Sequence, residues 1–204
     1  MSQTVYTVGH SRHTWDCFAR LLALHGITAM CDVRSKPYSR LQPQFNREAL
    51  KMALPECGIT YLFLGKELGA RSEDPGCYEG GQLRYARLAQ TKLFQKGLER
   101  LRDGMNKGFT VALMCAEKEP LECHRTILVA RQLSEVGIDV QHIHADGTLE
   151  SHSAALRRLA GLVGVPENDL FRSAEELQAD AYHRQERRIA FEREPAVAAA
   201  NAAG

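Results

Sequence analysis

The sequence predicts a three-layer α/β fold: a mainly parallel sheet of about five strands, Rossmann-like or flavodoxin-like, with helices added at the C-terminal end. Three observations carry this expectation. Short β-branched and apolar runs alternate with stretches of helical period through the first 150 residues, the pattern of a parallel sheet covered by helices. The chain has 204 residues, 44% hydrophobic and 25% charged, which suits a globular domain with a core of its own. No internal repeat or low-complexity segment interrupts the first part.

The elements follow in order. Thr4–Val8 reads as a strand ending at Gly9. Thr14 caps a helix whose apolar residues Trp15, Phe18, Leu21 and Leu22 recur at helical spacing, with Gly26 as its stop. Ile27–Val33 is a second strand, Asn46 caps a helix to about Leu54, and Ile59–Leu64 is a third strand. A loop rich in Gly, Pro and charge covers 65–82; its length marks it as functional. One helix then runs through Leu88, Leu98 and Leu101 to about Gly104. Phe109–Met114 is the fourth and most apolar strand, Cys123–Val136 a helix, and Ile138–Ile143 the fifth strand. Leu156, Leu159, Leu162 and Val163 suit a further helix. Ser173 and Glu176 have capping-box spacing and open a charged helix to about Phe191. These boundaries divide the chain into an α/β domain (1–150), a helical extension packed on it (151–192) and a flexible tail (193–204).

Composition narrows the function classes. Lys plus Arg is 26 against 25 for Asp plus Glu, a net charge of +1, so charge alone gives no support for an extended nucleic-acid track. No apolar run reaches membrane-spanning length. The start, MSQTVYTVGH, lacks the basic and apolar regions of a signal peptide. Six cysteines in such a chain fit reduced thiols and a cytoplasmic location. The charged C-terminal helix is a solvated or packing surface, or the contact of a homodimer.

In a parallel sheet, ligands bind beyond the carboxyl ends of the strands. The residues after those ends are His10 and Ser11; Asp32, Arg34 and Lys36, with Ser39 beyond; Cys115 and Glu117; and His144, Asp146 and His152. The strongest signal is the stretch from Met114 to Arg125. It sets Cys115 at a strand exit and Cys123 at a helix start, flanked by His124 and Arg125. A helix N-terminus and neighbouring cations favour thiolate. Three chemistries compete for these residues: a thiolate nucleophile with Arg125 as anion partner, a metal site, and a redox pair of Cys115 with Cys123. The C-x7-C-H spacing matches no common zinc pattern, so no metal ligands are assigned, and zinc is not expected to be needed for folding. A free cysteine is also an ordinary core residue.

Arg34, Lys36, Arg40, Arg47 and Lys51 concentrate positive charge against the single acid Glu48. They read as an anion-binding rim, with Tyr38 and Phe45 interleaved for stacking and Arg71, Arg84 and Arg87 available to extend it. Each of them taken alone is an ordinary solvated residue. Asp32 can equally pair with a basic neighbour, and Asp146-Gly147 is a turn signal.

Together these residues resemble the bacterial and archaeal domain-of-unknown-function family DUF488. The resemblance rests on Tyr6–Ser11, Asp32–Ser39, Gln44–Asn46, Gly58–Tyr61, Leu68-Gly69, Met114–Glu117, Cys123–Arg125 and His142-Ile143, across roughly residues 4–146. It implies one α/β domain, with Asp32, Arg34, Cys115, Glu117, Cys123, His124 and Arg125 at its motif positions, and it supplies no reaction. The sequence therefore points to a cysteine-dependent enzyme for an anionic substrate, a nucleotide or nucleic-acid component. Cys115, Glu117, Cys123 and His124 would do the chemistry. His10, Ser11, Asp32, Arg34, Lys36, Ser39, Arg125 and Asp146 would hold the substrate. The competing class is a non-catalytic module that binds nucleic acid or senses metal. The sequence names no cofactor and leaves its identity unknown.

Overall fold

The structure, a computed structural model, describes residues 3–193. Along the chain come β1 (Thr4–Gly9), α1 (Trp15–Leu24), β2 (Ala29–Asp32), α2 (Arg47–Glu56) and β3 (Thr60–Phe63). A small hairpin of β4 (Tyr78–Glu79) and β5 (Gln82–Leu83) follows, then α3 (Tyr85–Ala89), α4 (Lys92–Asn106) and β6 (Val111–Cys115). The chain continues through a π-helical stretch (Arg125–Ala130), α5 (Arg131–Glu135), β7 (Asp139–Ile143), β8 (Leu149–Ser151), α6 (His152–Val163) and α7 (Ala174–Ile189). Of the tail expected at 193–204, all but Arg193 lies outside the described residues.

The main sheet has six strands in the order β3-β2-β6-β1-β7-β8. The first five are parallel, and β8 runs antiparallel to β7. The three-layer α/β class stands. The strand order is neither of the two doubly-wound orders named above, because β6 lies between β1 and β2. That insertion sets the site. The chain leaves β1 toward the β2 side and leaves β6 toward the β7 side. The two connections run in opposite directions and cross on opposite faces of the sheet, the kind of reversal at whose carboxyl ends α/β sheets hold ligands.

Local chemistry explains the element ends. Thr14 Oγ1 accepts the Cys17 N–H, and Ser173 and Glu176 close a complete capping box. Asn46 does precede α2, but its Oδ1 accepts the Ser39 N–H at 2.6 Å instead of capping the helix. The single helix expected through Leu88 and Leu101 is two, because Thr91 caps a new start by accepting the Phe94 N–H. Gly147, at φ +87, turns the chain so that Leu149–Ser151 pairs back on β7. The sheet thus reaches one residue past the end expected for the α/β domain.

Two cores sandwich the sheet. One joins Met30, Ala112, Met114 and Ile143 to Phe18, Leu22, Leu50 and Leu54 of α1 and α2. The other joins Cys31, Val111, Leu113 and Cys115 to the helices of the opposite face, including Leu159 of α6 and Leu177 and Tyr182 of α7. No helix among the described residues is long and apolar enough to cross a membrane.

Gly9 ends β1 where the loop after β6 folds back over it. A Cβ there would overlap the Glu117 carbonyl oxygen and crowd the Arg125 guanidinium. Gly9→Ala is expected to cost about 1–3 kcal/mol as an overpacking change against backbone. Urea unfolding checks this; an unchanged midpoint would show that the loop yields freely.

Candidate functional site

β6 ends in Cys115, and residues 116–124 loop back before the π-helical stretch. Cys123 is extended (φ −133, ψ 140), so it stands just ahead of the helix and serves as its cap. Its carbonyl accepts the Thr126 and Ile127 N–H groups, and its Sγ lies 3.4 Å from the donating Arg125 N–H. The loop is pinned from the C-terminal helices. Gln185 of α7 donates to the Leu121 carbonyl at 2.8 Å, and Arg158 of α6 donates to Glu119 at 2.8 Å. The extension at 151–192 therefore holds the site loop.

Four of the expected groups converge. Cys115 Sγ and Cys123 Sγ lie 3.7 and 3.9 Å from His124 Nδ1. Glu117 Oε2 lies 3.0 Å from Cys123 Sγ. His124 Nε2 donates to the Val33 carbonyl at 3.1 Å, so Nδ1 is the nitrogen that turns to the sulfurs. Cys115, Cys123 and His124 offer donor atoms within 4.8 Å of one another and, among the described residues, form a group that could hold a metal ion.

Arg125 is fully buried. Its guanidinium donates to the Glu117 and Lys118 carbonyls at 2.8 and 3.3 Å, and its Nε has no partner. No carboxylate among the described residues pairs with it. Burial works against a charged Cys123, but hydrogen bonding from Cys115, the Arg125 charge and His124 outweigh it and hold this thiol well below its usual range. Cys115 is pushed up, first by its hydrogen bond to Cys123 and then by burial. Burial lowers the basicity of His124, yet contact with Cys123 raises it overall. Burial, then the Cys123 charge, raises the Glu117 carboxyl. The balance favours negative charge on Cys123 over Cys115, beside an imidazole made more basic and a carboxyl made less acidic.

These groups face a cavity of about 290 Å³. Arg34, Lys36, Arg71, Tyr85 and Phe191 complete its wall. Lys36 and Arg71 are exposed, and neither pairs with an acid among the described residues; Arg71 stacks on the Phe191 ring at 4.2 Å. Larger space lies between α6 and α7, about 420 Å³, but the sulfurs do not line it.

Several expected substrate-binding residues lie elsewhere. Asp32 and Arg34 form a buried ion pair at 2.7 Å. Arg34 also donates to the Phe45 carbonyl and to His10 Nε2, and Tyr61 donates to Asp32. Arg34 touches the cavity with its guanidinium already largely engaged. His10 stacks on Phe45 at 4.5 Å. Ser11, at φ 47, and Ser39, which accepts the Gln42 N–H, shape loops away from the cavity wall. Asp146 accepts from Thr148 in an exposed turn. The basic rim also disperses: Lys51 pairs with Glu48, and Arg84 and Arg87 pair with Glu79. Tyr85 and Phe191 went unread in the sequence, since neither carries a local signal.

The pattern at this sheet edge has relatives. Comparison with curated proteins and with solved structures gives no match. The family model described as "Domain of unknown function DUF488" matches residues 14–132, more than half of the chain and every element from α1 through Cys115, Cys123, His124 and Arg125. The chain belongs to the DUF488 family.

Proposed function

We propose that the protein is a thiol-dependent enzyme for a small anionic substrate, with Cys123 as the attacking sulfur. The observation that carries this reading is the buried charge balance: Arg125 has only carbonyl partners, and Cys123 is the group beside it able to carry the opposite charge. Lys36 and Arg71 at the mouth favour an anion. Glu117, 3.0 Å from the sulfur and made less acidic by burial, is the group placed to exchange a proton with Cys123 or a leaving atom. Cys115 and His124 orient and stabilise the thiolate. A cavity of this size suits a single nucleotide or another compact phosphorylated or oxyacid compound, not a polynucleotide.

Cys57 is an exposed thiol and serves as an internal reference. In reduced, chelator-treated protein at pH 7, Cys123 is expected to alkylate faster than Cys57 despite its burial. Iodoacetate should outpace iodoacetamide at Cys123, drawn by Lys36 and Arg71, with no such preference at Cys57. Mass mapping over time reads both. Alkylation of Cys57 first by both reagents would remove the nucleophile assignment and favour a non-catalytic binding module.

A further inference from the structure

We propose that Cys115, Cys123 and His124 form a chelating site for one ion of the zinc class, whose open position faces the cavity. The sequence spacing matches no common zinc pattern, because the three donors come from a strand end and from a helix start eight and nine residues later, across a loop that folds back. The fold brings them together. In tetrahedral zinc sites, bond lengths of about 2.3 Å to sulfur and 2.0–2.1 Å to nitrogen put sulfur and nitrogen about 3.6 Å apart. The distances here, 3.7 and 3.9 Å, need shifts of only a few tenths of an ångström.

Orientation agrees with distance. Metal-bound imidazoles are commonly held through their second nitrogen by a carbonyl or carboxylate. His124 Nε2 has this contact with Val33 at the end of β2. All three donors are buried, and their backbones belong to the central strand and the capped helix start. Two sulfurs and one imidazole select a thiophilic ion over magnesium or calcium. The fourth position falls on the side of the cavity and Glu117, leaving room for water, carboxylate or a substrate anion.

The consequence for activity rests on the reading of Cys123 as nucleophile; the binding itself does not. An ion bound to Cys123 draws charge from the sulfur and lowers its nucleophilicity, so the loaded protein is the slow form. The two packed cores carry the fold in either form.

The test uses full-length, reduced, chelator-stripped protein titrated with Co²⁺ and then Zn²⁺. One equivalent of Co²⁺ should give a sulfur-to-cobalt charge-transfer band and tetrahedral visible bands, which Zn²⁺ abolishes by displacement. Zn²⁺ should protect Cys115 and Cys123 from alkylation while Cys57 stays reactive, and Mg²⁺ should do neither. Cys115→Ser and His124→Gln should each weaken Zn²⁺ binding at least about tenfold. If either variant fails to fold, the wild-type stoichiometry and protection pattern still decide. A missing charge-transfer band, or binding that leaves a reactive Cys123 unprotected, overturns the site. A stripped protein whose Cys123 is inert, yet which binds Zn²⁺ as described, overturns the nucleophile and leaves the metal site standing. Reactive Cys123 without metal binding does the reverse.

Discussion

Acidification from pH 7 to pH 5 is expected to remove about 4 kcal/mol of stability through His10 and His152 alone. Both are buried. Burial lowers each to about 4, and for His10 the adjacent Arg34 charge adds to it. His142 moves in the same direction, first through burial and then through His152. An unfolded histidine titrates near 6.5. Between that value and 4 the unfolded chain binds more protons than the folded one, so stability rises with pH across this window. The contribution is complete above about 6.5, shrinks as the pH falls, and is gone near 4. At pH 5 each of the two histidines has given up about 2 kcal/mol, against a total of about 5–15 kcal/mol for an ordinary domain.

The geometry shows why these rings resist a proton. Thr7 Oγ1, His142, His152 and Tyr182 form a buried chain with links of 2.7, 3.1 and 2.8 Å. The 3.1 Å link joins two ring nitrogens and holds one hydrogen. A second proton on either ring can set N–H against N–H, beside Arg125 and Arg158. Urea unfolding at pH 7, 6 and 5 measures the slope, which His152→Asn should reduce by about one proton. A flat profile for the wild type between pH 7 and 5 would contradict the assignment of these histidines as neutral.

How much of this was legible follows from what each signal can encode. Runs such as Thr4–Val8 announce strands because β-branched residues suit the pleat, and Thr14 and Ser173 announce helix starts through their own hydroxyls. Strand β8 is Leu-Glu-Ser, too short and polar to read without its partner. At the site, the rule of carboxyl ends picked out Cys115, Glu117, Cys123 and His124, which the fold brings together at one edge. It also collected His10, Asp32 and Arg34, which share that edge. What the rule lacks is the face. Side chains alternate along a strand, so Met30 and Asp32 turn toward α1 and α2 while Cys31 and Cys115 turn to the opposite core. Asp32 and Arg34 then close on each other in a buried ion pair, while Arg34 still reaches the cavity wall. Arg71, read as an extension of the basic rim, does reach the cavity, but Tyr85 and Phe191 get there through packing between segments far apart in the chain, and no local window contains that information.

Arg125→Met is expected to be the most damaging single change at the site, costing about 3–5 kcal/mol and the reactivity of Cys123 together. The side chain is fully buried, and its guanidinium spans the carbonyls of Glu117 and Lys118. Methionine fills similar volume, so loss of packing is small. What goes is the charge and two hydrogen bonds. The two carbonyls lose their donor, each at about 1–3 kcal/mol if it stays dry. Cys123 loses the cation that opposes its burial, so its thiol rises and takes a proton. The loop that carries Glu117 then has neither its clamp nor a charged sulfur to face. Arg125→Lys separates the two roles, because an ammonium keeps the charge but lacks the planar fork that reaches both carbonyls. Lysine should restore part of the Cys123 alkylation rate at pH 7 while leaving most of the stability deficit. Denaturant unfolding and alkylation kinetics on both variants give the two readouts. If Arg125→Met kept Cys123 as reactive as in the wild type, the thiolate would owe its charge to Cys115 and His124, and the pairing of Cys123 with Arg125 would fall.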